Sequence, residues 1–306
     1  MTVTREQVEQ AAVRIEGRVR RTPVLRVSET VTFKLELLQH VGSFKPRGMF
    51  NRLLAAKEDG SLTGVGAVTA SGGNAGLAVA YAARELGVPA RIFVPESAPA
   101  AKVARLKTLD ADVVQVGSEY AEAYAAAVVA AEESGALFAH AYDQPEVVAG
   151  QGTLGLELLE QIDGFDTVFV AVGGGGLIAG IATAIGDRAR VVGVEPELAP
   201  TLARALEAEQ PVDVQVGGVA ADSLGARRIG DIAFEVATQQ NIKSVLVDEP
   251  AIVAARQELW REYRVATELG AATAYAALTS GAYQPTADER VVVVVCGANT
   301  DLGTLS

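Results

Sequence analysis

A lysine lies where the chain is expected to pass from strand to helix, in Ser43-Phe44-Lys45-Pro46-Arg47-Gly48. An apolar run over residues 31–38 leads into it, and helix-forming residues 49–57 follow. Pro46 suits the first helical position. A lysine at such a junction is near the positive end of a helix dipole, and Arg47 adds a second positive charge. Both favour the neutral amine, the form that attacks carbonyls. Taken alone, a lysine ahead of a helix reads as a solvated surface group. Two glycine-rich turns further along change that weighting.

The first is Ser71-Gly72-Gly73-Asn74-Ala75-Gly76, between an expected strand and helix. Its glycines allow close approach of a ligand, and free N–H groups at the helix start form a site for a carboxylate or phosphate. Ser71 and Asn74 can add side-chain hydrogen bonds. The alternative is a plain capped turn with Asn74 as N-cap. The second turn is Gly173-Gly174-Gly175-Gly176-Leu177, after an apolar strand. Consecutive glycines are entropically costly in a merely structural loop, and suit a turn whose amides wrap one anion.

The same turn has a rival reading. Gly174 to Ala179 match a dinucleotide fingerprint, and Glu195 ends the next strand about twenty residues on. That reading implies an NAD-dependent oxidoreductase and leaves Lys45 and the Asn74 turn unexplained. A third piece is Cys296-Gly297-Ala298-Asn299, at the end of the last apolar strand. Ligands in such sheets sit beyond the carboxyl ends of strands, although a lone cysteine is also an ordinary small core residue. An amine, an anion cradle and a neutral polar group at a strand end together match what pyridoxal phosphate requires.

These residues need a scaffold of alternating elements. Thr4-Arg5-Glu6-Gln7 reads as a capping box, and Val8, Ala11, Ala12, Ile15 and Val19 recur at helical spacing. From residue 65 the pattern is strand 65–70, helix 75–86, strand 91–94, helix 100–109, strand 113–116 and an Ala-rich helix 119–134. A second series has strands at 167–172, 191–194, 244–247 and 291–296. Its continuously apolar runs suit central parallel strands covered on both faces. The expectation is an α/β fold of two lobes, each with its own sheet, with a crossing at Gln144-Pro145. Residues 167–186 carry no charge, but the glycines divide them into strand, turn and helix start rather than a membrane span.

Composition narrows the class. The chain has 306 residues, is 49% hydrophobic and carries 26 basic against 38 acidic residues, a formal charge of −12. No dense basic cluster exists, so nucleic acid is not an expected partner. One cysteine excludes an intramolecular disulfide, and His40 and His140 have no Cys or His companions, so they read as structural or surface residues. Without an apolar signal core near Arg5, Glu6 and Glu9, the expectation is a cytoplasmic protein with no membrane partner.

The motifs, in this order over nearly the whole chain, resemble those of fold type II pyridoxal-phosphate enzymes (tryptophan synthase β-like). The likeness is greatest to the serine/threonine dehydratase (threonine ammonia-lyase) and serine racemase family. The resemblance implies that Lys45 is the Schiff-base lysine and general base, with Phe44 its apolar neighbour. It implies that Asn74 bonds the cofactor's ring hydroxyl and that Ser71, Gly72, Gly73, Asn74 and Ala75 hold the substrate carboxylate. Gly173, Gly174, Gly175, Gly176 and Leu177 would form the phosphate cup, and Cys296 would face the ring nitrogen. It also implies a large lobe from residues 1–65 and 145–306, a small lobe from 66–144, and a homodimer.

The sequence departs from relatives in three places. Gly72 stands where racemases have a second serine, which argues against racemisation. Glu195 and Ala199 match two ligands of the relatives' divalent-cation site, but Thr201 stands in place of the Asp, which argues against a retained cation. With the sequence running to Ser306, a regulatory C-terminal domain like that of biosynthetic threonine dehydratases is not expected. The expected reaction is β-elimination from L-threonine, L-serine or a related hydroxy amino acid, giving a 2-oxo acid and ammonia. A thiol at the ring nitrogen does not hold that nitrogen protonated as a carboxylate would, which favours elimination over transamination. A racemase or β-replacement enzyme of the same fold, and a non-enzymatic binding protein, are the other readings.

Overall fold

The computed structural model describes residues 2–305, so Met1 and Ser306, the outer bounds of the expected lobe division, lie outside the described residues. Helix α1 (Arg5–Arg14) starts at the expected capping box: Thr4 Oγ1 accepts from the Gln7 amide, and Gln7 Oε1 accepts from the Thr4 amide. Next come β1 (Val24–Arg26), β2 (Val31–Lys34) and α2 (Lys45–Glu58). The apolar run at 31–38 is therefore strand only as far as Lys34. Beyond it the chain winds through two 3-10 turns, Glu36–Leu38 and His40–Gly42, because the Leu37 amide leaves the strand direction to bond Val295 O at 2.8 Å.

A four-stranded sheet follows from β3 (Ala67–Ala70), α3 (Asn74–Leu86), β4 (Ala90–Val94), α4 (Ala100–Lys107), β5 (Asp112–Gln115), α5 (Tyr120–Ser134) and β6 (Leu137–Phe138). Its order is β5-β4-β3-β6 and every pairing is parallel. The chain returns through α6 (Pro145–Gln161), β7 (Thr167–Ala171), α7 (Gly176–Ile185) and β8 (Arg190–Pro196). Three short helices, α8 (Thr201–Glu207), α9 (Ala221–Leu224) and α10 (Asp231–Gln239), lead to β9 (Lys243–Val247). Helices α11 (Glu249–Tyr263) and α12 (Leu269–Thr279) precede β10 (Val291–Val294).

The second sheet is six-stranded, in the order β1-β2-β10-β7-β8-β9, with only β1 antiparallel. The all-apolar strands occupy its centre: β10 lies between β2 and β7, with Val291 opposite both Val31 and Thr167. Every residue of β7 and β10 is buried, as strands covered by helices on both faces must be. The uncharged stretch 167–186 is β7, a turn and α7, and no described helix is long and apolar enough to cross a membrane. Met49, Phe50 and Leu53 of α2 share a buried cluster with α3 and the four-stranded sheet, so α2 packs at the junction between the two sheets.

Candidate active site

Two backbone hydrogen bonds, which together make an antiparallel bridge, deliver Lys45 to the end of β10. Phe44 N donates to Cys296 O at 3.1 Å and Ala298 N donates to Gly42 O at 2.8 Å, pairing Ser43 with Gly297. Lys45 is the first residue of α2 and Pro46 the second, where its missing N–H costs nothing. The Lys45 amine donates to Ala141 O at 2.7 Å and lies 4.9 Å from the centre of the Phe44 ring. Burial lowers its pKa to about 8, against the opposing pull of Cys296 and Glu268.

Arg47 is not a cause of that shift, contrary to the sequence-based expectation. Its guanidinium turns away into a buried ionic cluster, with Nε 2.6 Å from Glu36 and Nη1 2.8 Å from Glu157. A guanidinium neutralised by two carboxylates exerts little repulsion on a neighbour.

Ala141 leads to the glycine turn through the next residue. The Tyr142 ring lies flat against Gly174, where a Cβ would stand 2.4 Å from ring carbons, and a Cβ on Gly176 would stand 2.5 Å from Tyr142 O. The lysine amine and the glycine turn thus converge on one dipeptide. Gly175 adopts φ +84°, a left-handed conformation that glycine takes without strain.

Each carbonyl along this turn has a partner on the protein side. Gly173 O accepts from Thr201 Oγ1 at 2.6 Å, Gly174 O from Gly230 N at 3.0 Å and Gly175 O from Ala179 N at 3.0 Å. The amides of 174–177 meet no acceptor among the described residues, and Gly175, Gly176 and Leu177 are buried. Buried donors left unpaired are costly. Four free amides at the start of a helix, three of them on buried residues, fit a phosphate, and a nearby amine of lowered pKa fits an aldehyde.

The Ser71 turn joins β3 to α3. Ser71 Oγ accepts from Gly73 N at 3.2 Å, while the amides of Gly72, Asn74 and Ala75 have no acceptor among the described residues. Asn74 is not the N-cap; Gly73 holds that position, and no side chain caps the helix. The Asn74 side chain instead donates to Glu268 Oε1 at 2.9 Å and accepts from the Asn299 amide. Gly72, Gly73, Asn74, Ser223, Glu268 and Asn299 line one cleft.

Cys296 is buried at the end of β10, and burial pushes its thiol well above the usual range, so it is a neutral thiol. Glu268, preceding α12, is also buried, and this raises its pKa to about 7 in spite of the hydrogen bond from Asn74.

Sequence reasoning passed over Glu268, Tyr142 and Ala141. Only Glu268 carried a signal, as an acidic residue immediately before the charge-free helix of residues 269–279.

Glu195 does not serve the rival dinucleotide reading. It is fully buried and its oxygens accept from Leu202 N, Ala203 N and Ser244 Oγ, leaving it unavailable to a ribose. The two histidines are structural, as expected: His40 stacks on Tyr81, and His140 Nδ1 accepts the amides of Tyr142 and Asp143.

Comparison with known proteins agrees with this geometry. Residues 15–297 match the family described as pyridoxal-phosphate dependent enzyme. The chain is 38% identical to an L-threonine ammonia-lyase of Geobacter sulfurreducens over 98% of its own length and 76% of that protein. It is also 38% identical to a phenylserine dehydratase of Ralstonia pickettii, over 96% of this chain and 92% of that one. The structure of maize serine racemase superposes with a TM-score of 0.92 at 33% identity, covering 100% of this chain and 96% of that one.

Proposed function

The chain belongs to the family of pyridoxal-phosphate dependent enzymes, and from that premise we propose a lyase that removes water from a β-hydroxy amino acid. L-Threonine and L-serine are the proposed substrates, and a 2-oxo acid and ammonia the products. The observation that carries the reading is the convergence of the Lys45 amine and the unpaired amides of 174–177 on the Ala141–Tyr142 dipeptide.

Pyridoxal phosphate, when bound, supplies an electron sink for charge developing at the substrate Cα. The rest falls to the chain. The amides at 174–177 would hold the group's phosphate. Lys45 Nζ would hold the aldehyde end of the group and, as a free amine, would take the substrate Cα proton. A base with a pKa of about 8 is well matched to that task near neutral pH. The free amides of Gly72, Asn74 and Ala75 bind the substrate carboxylate. Asn74, held by Glu268 and Asn299, would bond the ring hydroxyl. Cys296 would meet the group's ring nitrogen as a neutral thiol, which does not hold that nitrogen protonated as a carboxylate would and so favours loss of the β-hydroxyl.

Gly72 supports elimination over racemisation, because glycine has no group to deliver a proton to the opposite face of Cα. We further infer a homodimer in the cytoplasm, from the family resemblance and the single buried thiol.

An absorption scan of purified protein, followed by 2-oxo acid assays with L-serine and L-threonine, tests the reading. Lys45→Ala should abolish the visible cofactor band and turnover together. A variant keeping both would sink the lysine assignment.

A further inference from the structure

The glycine turn is braced from behind by a buried residue for which the family resemblance offers no role. Thr201, the first residue of α8, is fully buried, and its hydroxyl lies 2.6 Å from Gly173 O and 3.1 Å from Glu195 Oε1. A hydroxyl has one proton, and the shorter contact takes it, so Thr201 donates to Gly173 O. A trans peptide is planar, with C=O and N–H pointing in opposite directions. Gripping the Gly173 carbonyl therefore sets the direction of the Gly174 N–H, the first donor of the cup.

Thr201 is itself held in place. Glu195 accepts from Leu202 N at 2.7 Å and Ala203 N at 2.8 Å, which pins the start of α8, and from Ser244 Oγ at 2.6 Å, which ties the carboxylate to β9. The family resemblance implies a divalent-cation site in this region, but the residues here do not fit one. The Glu195 oxygens are occupied by three donors besides the Thr201 contact. The Ala199 carbonyl accepts from Thr201 N at 3.1 Å, and the third ligand position carries a neutral hydroxyl.

We propose that Thr201 is a positioning residue for the cofactor phosphate: backed by Glu195 and Ser244, it aims the Gly174 amide into the cup and performs this task without a divalent cation. The proposal rests on the phosphate-cup assignment above.

The test is titration of the apoprotein with pyridoxal phosphate, read as a dissociation constant. Thr201→Val keeps the shape and removes the donor, and should weaken binding about tenfold, the cost of leaving a carbonyl unpaired. Thr201→Ser should bind close to wild type. Exhaustive dialysis of wild-type protein against EDTA, with or without magnesium returned, should leave the constant unchanged.

Equal binding by Thr201→Val, or a wild-type affinity lost to EDTA and restored by magnesium, overturns the proposal. Should Thr201→Val fail to fold, the serine variant and the chelation series still decide. Equal binding by the valine variant with β-elimination intact rejects only the brace. Tight binding without elimination rejects only the lyase reading.

Discussion

The side-chain amide of Asn74 donates to the carboxyl of Glu268 at 2.9 Å, joining the first turn of α3 to the residue that precedes α12. The two lie 194 positions apart in the chain, at the starts of helices that pack on different sheets. This bond closes the back of the cleft, and it puts a titratable carboxyl of raised pKa against the proposed cofactor ring.

Glu268 makes stability depend on pH in an unusual direction. Its folded pKa is about 7, against 4.5 for an unperturbed carboxyl, so the folded form binds the extra proton. Stability therefore falls as pH rises through that window, and the penalty persists above it. Glu268→Gln removes the titration while leaving an acceptor for Asn74. Thermal melts of the apoprotein should show the variant gaining on wild type above pH 7, with the gain vanishing below about 4.5. A difference independent of pH would contradict this account.

Lys45 gives a second pH signature. Its amine is neutral above about 8 rather than above the ordinary 10.5. Capture of added pyridoxal phosphate by apoprotein should therefore accelerate with pH and level off with a midpoint near 8, as followed by stopped-flow absorbance. A midpoint near 10.5 would mean that burial does not tune the amine.

Position 72 has room for a side chain. A Cβ there would meet only Val94 Cγ1, at 3.5 Å, an ordinary contact. Gly72→Ser should fold normally and release measurable D-serine from L-serine, whereas wild type should release almost none. Chiral chromatography of the reaction mixture distinguishes the two. Abundant D-serine from wild type would refute the role assigned to Gly72.

Arg47, two positions from the proposed Schiff-base lysine, has a structural task. Arg47→Ala would leave Glu36, which has no exposed surface, without its guanidinium partner. The expected loss is about 3–5 kcal/mol of stability by urea unfolding. A loss below about 1 kcal/mol would place Arg47 among the weak surface pairs instead.

Much of the site was legible because its signals are local. Pro46 directly after Lys45 suits the first turn of a helix, and glycine runs at strand-to-helix junctions are recognisable from conformational cost alone. The apolar runs in residues 167–172 and 291–296 identified the central strands, β7 and β10, since a doubly covered strand has no polar face.

Tertiary structure decided the rest. The spacing of Arg47 from Lys45 suggested one charge acting on its neighbour, but the fold paired Arg47 with Glu36 and Glu157 and left desolvation to lower the amine's pKa. Glu195 matched both a ribose ligand and a cation ligand by position, and packing against α8 and β9 ties its oxygens instead to Leu202 N, Ala203 N and Ser244 Oγ. Glu268, Tyr142 and Thr201 reach the site from segments remote in the chain from the lysine and from the turns they support. A residue's local pattern records its own backbone and its own burial. Which distant side chain it meets is set by how the helices pack over two separate sheets, and that information exists only once the chain has folded.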